Sequence, residues 1–484
     1  EGVTTFESVK GGLEGVIIGE VLSCDQHPDA DRLKVTQIDL GDKKVQIVCG
    51  APNVAKGQKV AVATVGTTLY DNEGIAFKIK QSKIRGQESF GMICAEDELG
   101  LGTSHEGIMV LSDELKPGAP CSEVFNIEKD HVFEIGLTPN RSDAMSHMGV
   151  ARDLKALCIF EEIDFEWNSP NAARFKINNT TKTFPVTVED KDLVPTYAGI
   201  TISDIEVKPS PKWLQNRLKA IGLNPKNNII DITNYVLHDL GQPLHAFDLD
   251  KLEGGIVVKT LAKDTSFTTL DGVERKLNAE DLMICDQKKP LCIAGVFGGL
   301  ESGVNDETTS VFIESAYFDP ISIRKTAKRH GLNTDASFRY ERGIDPEITE
   351  FALKYAASMI VDIAGGFVSS EIETVAHEQE PEINFMLNYE VVWRTIGQKI
   401  SIDDLTKILN ALEIRINQAT ESGMVIEIPK YRVDVTRPAD VIEEILRVYG
   451  YNKIETPDTI HTNLPKYSPI SKHNTAELMS KQLV

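Results

Sequence analysis

The chain has 484 residues, 41% of them hydrophobic and 26% charged, with a formal net charge of −22 at pH 7. This length exceeds one hydrophobic core and implies roughly three or four domains. The acidic balance excludes nonspecific wrapping of a polyanion, because nucleic-acid affinity rests on Lys and Arg neutralising phosphates, so any RNA contact has to be local. No apolar run of about 18 residues occurs, and the opening EGVTTFESVKGG lacks the basic and apolar parts of a secretory signal; neither a spanning helix nor an export leader is expected. Seven scattered cysteines without a CxxC pair argue against a disulfide framework or zinc site, and the default location is cytoplasmic.

The first hundred residues alternate short β-branched runs with turns: GVIIGEVLSC, RLKVTQIDLG, KKVQIVCGA, QKVAVATVG and AFKIKQSKIRG. Regular turn-separated strands without helical periods predict a small all-β barrel. The order HPDADRLKV, IVCGAPNV and SFGMICAEDELGL resembles the tRNA-binding oligonucleotide-binding (OB) barrel of several tRNA synthetases and their accessory proteins. Lys78, Lys80, Lys83 and Arg85, preceded by Lys56 and Lys59, form the best basic patch. By charge alone they suit either a solvated strand face or an RNA contact.

From Pro139 to Glu166 the apolar spacing becomes helical, and Asn168 to Lys182 reads as a polar linker. A new domain opens near Phe184. KWLQNRLKAIGL places Trp213, Leu214, Leu218, Ile221 and Leu223 at helical intervals and predicts a core-facing helix. A second helix starts at Ile229 and ends on a loop carrying His245, and strands recur in GGIVVKTL, LMICD and LCIAGVFGG. Mixed strands and helices of this kind imply an α+β module, closed by a helix over EITEFALKYAASMIVDIAG. After the acidic stretch HEQEPE, a last domain contains a helix from Ile402 to Leu412, a strand EIRINQ and the motif IPKYRVDVTRPADVIEEILRVYGYNKI. Asp440, Glu443 and Glu444 share i, i+3, i+4 spacing there and, with Asp434, offer oxygen ligands to magnesium. Asp440 and Glu443 equally fit a helix capping box.

The densest polar segment is HGLNTDASFRYERGIDP, from His330 to Pro346. With Thr233, Asn234, His245, the GVFGG run containing Gly298, and Glu314, it supplies parts for hydrolysis of an ester: polar groups around a carbonyl, a held water and a closely approaching backbone. No GxSxG elbow occurs, and no Lys-Ser/Thr pair follows GVFGG, which excludes a covalent serine hydrolase of that type and a P-loop. Taken singly, His245 reads as a structural histidine, Glu314 as the answer to a buried Arg, and Gly298 as a turn residue.

Taken in order, these segments closely resemble the beta subunit of bacterial phenylalanyl-tRNA synthetase. The resemblance implies a multidomain α+β chain: an N-terminal remnant over 1–14, an OB-fold barrel over 15–126, a helical connector over 127–183, a mixed α/β editing domain over 184–374, a small α/β domain over 375–458, and the start of a catalytic-like region over 459–484. It implies post-transfer editing of tyrosine misattached to phenylalanine tRNA. In that reading Glu314 binds the tyrosyl hydroxyl, Ala336 and Gly298 shape the pocket, and His245, Asn234 and Thr334 position the ester or water, with His245 as candidate general base. A site that hydrogen-bonds the hydroxyl can favour tyrosine strongly over phenylalanine. Lys78, Lys80, Lys83 and Arg85 become tRNA contacts, and Asp434, Asp440, Glu443 and Glu444 a magnesium site shared with an alpha subunit. That subunit would carry out ATP-dependent aminoacylation in an α2β2 heterotetramer, with this sequence continuing past Val484. Asn224 departs from the family, which often has a basic residue before the proline. The alternative is a noncatalytic tRNA-binding or assembly module.

Overall fold

The computed structural model describes residues 2–71, 74–102, 104–376, 382–455 and 472–483. Most of HEQEPE, and all of 459–484 except the helix Lys472–Leu483, lie outside the described residues. The chain divides into two compact units, residues 1–150 with 169–379, and residues 151–168 with 380–484.

In the first unit four of the alternating segments become β1 (Val16–Gln26), β2 (Lys34–Asp39), β3 (Lys44–Cys49) and β4 (Lys59–Thr64), and SFGMICAEDELGL supplies β5 (Gly91–Ile93); the fifth run, AFKIKQSKIRG, instead gives strands to two separate short hairpins, Thr68–Tyr70 with Ala76–Lys78 and Ser82–Ile84 with Gln87–Ser89. Strands β1 to β5 pair antiparallel in the order β5-β4-β1-β2-β3. The backbone N–H of Phe90 donates to Gln46 O at 2.9 Å, so the chain entering β5 returns to the far edge strand and the sheet curls on itself. Val21, Ile38, Ile47, Val60, Val62 and Ile93 fill one face, as period-two alternation requires. Gly2–Glu7 pairs with Lys129–Glu134 as a separate ribbon.

The rest of this unit is layered. Its strands are β6 (Val186–Val188), β7 (Thr196–Ser203), β8 (Leu244–Asp248), β9 (Ile256–Thr260), β10 (Leu282–Cys285), β11 (Pro290–Ile293), β12 (Phe297–Gly298), β13 (Ser310–Tyr317), β14 (Phe367–Val368) and β15 (Glu373–Ala376). One sheet runs β8-β13-β7-β14, with β15 also on β7; the other runs β6-β9-β10-β11-β12. The helices are α1 (Lys212–Ala220), α2 (Asn228–Leu240), α3 (Pro320–His330), α4 (Asp335–Tyr340) and α5 (Thr349–Ala364). β7 and β13 are buried along nearly their whole length, because they are covered on both faces. Ala198, Ile200, Ile202, Ala246, Val311 and Ile313 face α1, α2 and α5. The alternate residues Tyr197, Phe247, Phe312 and Ala316 pack with residues of the second sheet.

Three local expectations need correction. His245 sits on edge strand β8, paired to β13, and not on a loop; Gly241, Gln242 and Pro243 make the whole turn after α2. Trp213 is 42% exposed, since the buried stripe of α1 runs through Leu214 and Leu218. The polar stretch after Asn168 lies along the sheet edge, where Asn178 N–H donates to Val368 O and Lys182 Nζ to Ser310 Oγ.

The second unit holds β16 (Asn384–Asn388), α6 (Tyr389–Ile396), α7 (Ile402–Ala411), β17 (Arg415–Ala419), β18 (Gly423–Glu427) and α8 (Pro438–Tyr449). Its sheet order is β16-β18-β17, and Leu387, Val392, Leu405, Ile408, Ile426 and Ile445 share one core with Ala156 from the helix His147–Glu161.

Gly199, in the middle of β7, has no room for a side chain: a Cβ there would stand 2.1 Å from the buried ring of Phe312. Gly199→Ala is expected to destabilise the layered module by about 1–3 kcal/mol through overpacking, read as faster native-state hydrogen exchange in β13.

Candidate functional site

The antiparallel register of the first sheet makes His245 on β8 and Gly199 on β7 the two neighbours of Glu314 on β13. Directly opposite residues share a face, so the Glu314 and His245 side chains both enter the layer between the sheets. Gly298, on β12 of the other sheet, meets them there: a Cβ at this position would lie 3.1 Å from His245 Cε1 and 2.8 Å from Leu270 Cδ1. Leu270, 49% exposed, is held over Gly298 by its N–H to Gly298 O at 3.0 Å. Three distant candidates therefore converge.

Glu314 is 4% exposed, and burial pushes its carboxyl up to about 8 against a smaller opposing influence of Tyr197. At neutral pH it is mostly a neutral acid, able to donate as well as accept. Tyr197 is fully buried and is near enough for each group to shift the other's ionisation. Even so the pair forms no well-shaped hydrogen bond, and both Tyr197 Oη and Glu314 Oε2 lack a partner. Burial lowers His245 to about 4, which leaves a neutral ring packed edge-on against Phe247 at 4.4 Å. So weak a base serves at neutral pH by hydrogen bonding and position rather than by taking a proton. Beside this layer, Gln242 Nε2 donates to Ala316 O at 2.9 Å and the Tyr340 hydroxyl donates to the same oxygen at 3.1 Å.

The other candidates fall differently. Thr334 caps α4: its Oγ1 accepts from Ser337 N–H at 3.1 Å and donates to Val296 O at 2.9 Å. That hydroxyl fastens α4 to the GVFGG turn. Ala336 packs on the core cluster that also contains Tyr340 and Phe318. Asn234 rides on α2, whose apolar side covers the opposite face of the sheet from Glu314. Much of the dense polar segment also has fastening duties: His330 meets Asp281 at 2.7 Å, and Arg339 donates to Met145 O and Asp335 O.

Lys78, Lys80, Lys83 and Arg85 are all exposed, and among the described residues none forms an ion pair. Lys83 lies on a hairpin, Ser82–Ile84 with Gln87–Ser89, whose turn places Arg85 and Gly86 at φ 45 and 92. Buried His27 supports it: Asp29 N–H donates to Nδ1 at 3.0 Å, which leaves Nε2–H to donate to Ile84 O at 3.2 Å. A cavity of about 590 Å³ lies elsewhere in this unit, lined by Glu7, Glu14, Thr64, Thr67 and Tyr70, and includes none of the hydrolytic candidates.

In the second unit the expected magnesium ligands are already engaged. Arg432 donates to both oxygens of Asp434 at 3.0 and 3.2 Å and to Glu444 Oε2 at 2.6 Å; Arg447 donates to Glu444 at 2.7 Å and to Asp153 at 2.8 Å. Burial opposes the charge of Glu444, but Arg432 and Arg447 outweigh it and hold its carboxyl down at about 2. Asp440 accepts from the N–H groups of Thr436 and Arg437, so it caps α8 backwards and not with Glu443, which is exposed. Among the described residues no three His, Cys, Asp or Glu side chains are placed to hold a metal ion. The four carboxylates, as arranged in this chain, do not fit one.

Comparison with known proteins finds three family models in sequence order: "Putative tRNA binding domain" over residues 16–120, "B3/4 domain" over 193–365 and "tRNA synthetase B5 domain" over 385–451. The phenylalanine–tRNA ligase beta subunits of Bacteroides fragilis and Bacteroides thetaiotaomicron are each 52% identical over 486 aligned residues, and that of Porphyromonas gingivalis is 51% identical over 487. Each alignment takes in 100% of this chain and 59% of the relative. The chain belongs to the family of phenylalanine–tRNA ligase beta subunits. It is a mixed α+β, multidomain member that spans about 59% of the length of these curated relatives. No described helix is long and apolar enough to cross a membrane.

Sequence reasoning on this beta-subunit chain missed Tyr197, Gln242 and Arg432. Tyr197 hides in the apolar strand TYAGITIS, and only the β7–β13 register shows that it lies diagonal to Glu314. Arg432 was legible as an unexplained cation two residues before Asp434.

Two outcomes are expected. Glu314 has a raised carboxyl, so the stability it permits is full below the ordinary Glu range and is lost as pH rises towards about 8. Relative to wild type, Glu314→Gln should therefore gain roughly 5 kcal/mol between those limits and no more above them, measured by denaturant unfolding at a series of pH values. Arg432→Ala removes one of the two guanidinium partners of buried Glu444 and the bidentate partner of Asp434, and should cost the second unit about 3–5 kcal/mol. The loss should appear in the unfolding transition reported by Trp393, which lies in that unit.

Proposed function

We propose that this chain binds phenylalanine tRNA and hydrolyses tyrosine wrongly esterified to it, as the beta subunit of phenylalanine–tRNA ligase. The carrying observation is the buried Glu314 carboxyl, mostly neutral at pH 7, with an open oxygen on the face it shares with His245, and Gly298, where a Cβ would press on His245 Cε1 and Leu270 Cδ1. An apolar pocket alone discriminates poorly against an added hydroxyl, whereas a buried acid that needs a partner favours the side chain supplying one. His245 then positions the ester or its water as a neutral group. Ala336 limits pocket width from α4, Thr334 acts by holding α4 and the GVFGG turn together, and Asn234 is the least supported member of the set. Leu270 is the side chain that yields as the substrate enters.

The same reading takes the curled sheet β1 to β5 as an OB-fold barrel and the domain bounds as 15–126, 184–374 and 375–458, with 127–183 as the connection. Lys83 and Arg85 on the basic hairpin, with Lys78 and Lys80 just before it, touch tRNA phosphates, where exposed cations stand out on a chain of net charge −22. An alpha subunit charges the tRNA with ATP in an α2β2 assembly in the cytoplasm. The family's magnesium would draw on exposed Glu443 only with ligands from that partner, because the other three carboxylates are engaged here.

Deacylation tests the reading directly. With tyrosyl-tRNA, Glu314→Ala should lower kcat/KM about 10- to 100-fold, and Ala336→Trp should block entry. Tyrosine release equal in wild type and both variants would leave only a binding or assembly role. Lys83→Ala with Arg85→Ala should weaken tRNA binding and reduce the salt slope by about one for each phosphate no longer neutralised. An unchanged slope in a filter-binding titration would remove the hairpin from the interface.

A further inference from the structure

Two unpaired polar atoms share the layer between the sheets of the central module, and each is expensive to leave so. Tyr197 is 0% exposed and Glu314 4%, and neither Tyr197 Oη nor Glu314 Oε2 has a hydrogen-bond partner. Buried hydroxyls and carboxyls normally find partners, so a pair of open ones at one place points to a ligand that supplies them. The register explains their meeting. Tyr197 pairs with Ala316, and Glu314 with Gly199, so the two side chains are diagonal neighbours on one face of β7 and β13. Gly199, opposite Glu314, presents no Cβ, and the ring of Phe312 fills the place that a Cβ would take.

We propose that Tyr197 is a second specificity-determining residue, which together with Glu314 reads the phenolic hydroxyl of the substrate from two sides. This rests on the editing function proposed above. A phenol oxygen carries one donor and two acceptor positions. Its O–H donates to Glu314 Oε2, and its lone pair accepts from the Tyr197 O–H. One ligand atom thereby satisfies both orphaned groups, whereas a phenylalanine side chain leaves both unmet. A single hydrogen-bonding acid would accept any small donor; two converging groups demand an atom that donates and accepts at the para position. Gln242 Oε1 is also buried and unpartnered nearby in the fold, but its amide nitrogen is tied to Ala316 O and Pro243 O, so it braces β13 rather than reaching for a ligand.

The test uses the full chain in its assembled ligase and compares wild type with Tyr197→Phe. Hydrolysis of tyrosyl-tRNA should fall about 10-fold in kcat/KM, chiefly through KM, while hydrolysis of phenylalanyl-tRNA stays unchanged. Equal loss on both esters, or none on either, overturns the proposal. Removing an unpaired hydroxyl should also leave the melting temperature at or above that of wild type. A lower value would show that the hydroxyl already has a partner, and would overturn it too. If wild type releases no tyrosine, the editing reading fails by itself, and p-cresol against toluene, followed by ligand-observed NMR, still decides this one. Loss of the p-cresol preference in Tyr197→Phe supports two-sided reading, and an unaltered preference rejects it.

Discussion

A carboxyl group placed between two β-sheets constrains everything around it in the central module. Glu314 stands on a strand buried on both faces, with helices behind and a second sheet in front. The desolvation cost of a charge there is large enough that the group keeps its proton instead. From that follow the neutral company it keeps: a histidine too buried to protonate, a phenol and a thiol whose own ionisation is suppressed by burial. The layer is uncharged at neutral pH but not saturated with hydrogen bonds.

The second unit handles buried carboxylates in the opposite way. Glu444 is as enclosed as Glu314, yet it stays ionised because two guanidinium groups reach it. Arg432 is itself 3% exposed and bridges Asp434 to Glu444. The charge of Glu444 is met inside the chain, and such a network fixes geometry more than it adds stability. The contrast separates a buried carboxyl kept neutral by desolvation from one kept charged by two guanidinium groups.

How much of this was legible beforehand depends on which physical rule governed each residue. Strands show in their alternation and helices in their period, so the starts of α5 and α7 and four strands of the curled sheet fall close to where periodicity puts them, while AFKIKQSKIRG pairs in short hairpins outside that sheet. His245 was misplaced on a loop because Pro243 suggests a turn, and the pairing of LHAFD with β13 is a long-range matter that no local pattern carries. Trp213 was read inward because size suggests burial, but the helix turns its Leu stripe to the core. The segment from His330 to Pro346 drew notice for its polarity. Most of that polarity caps and fastens, Thr334 included. Tyr197 stayed hidden, since its importance lies in cross-strand register alone.

The hydrogen bond from the Thr334 hydroxyl to the carbonyl of Val296 makes two stretches of chain into one mechanical piece. The helix that carries Ala336 and the glycine turn that carries Gly298 thus cannot shift separately without breaking it. Any substitution at Thr334 will be felt by both walls at once, and a kinetic defect there measures slack in the framework before it measures chemistry.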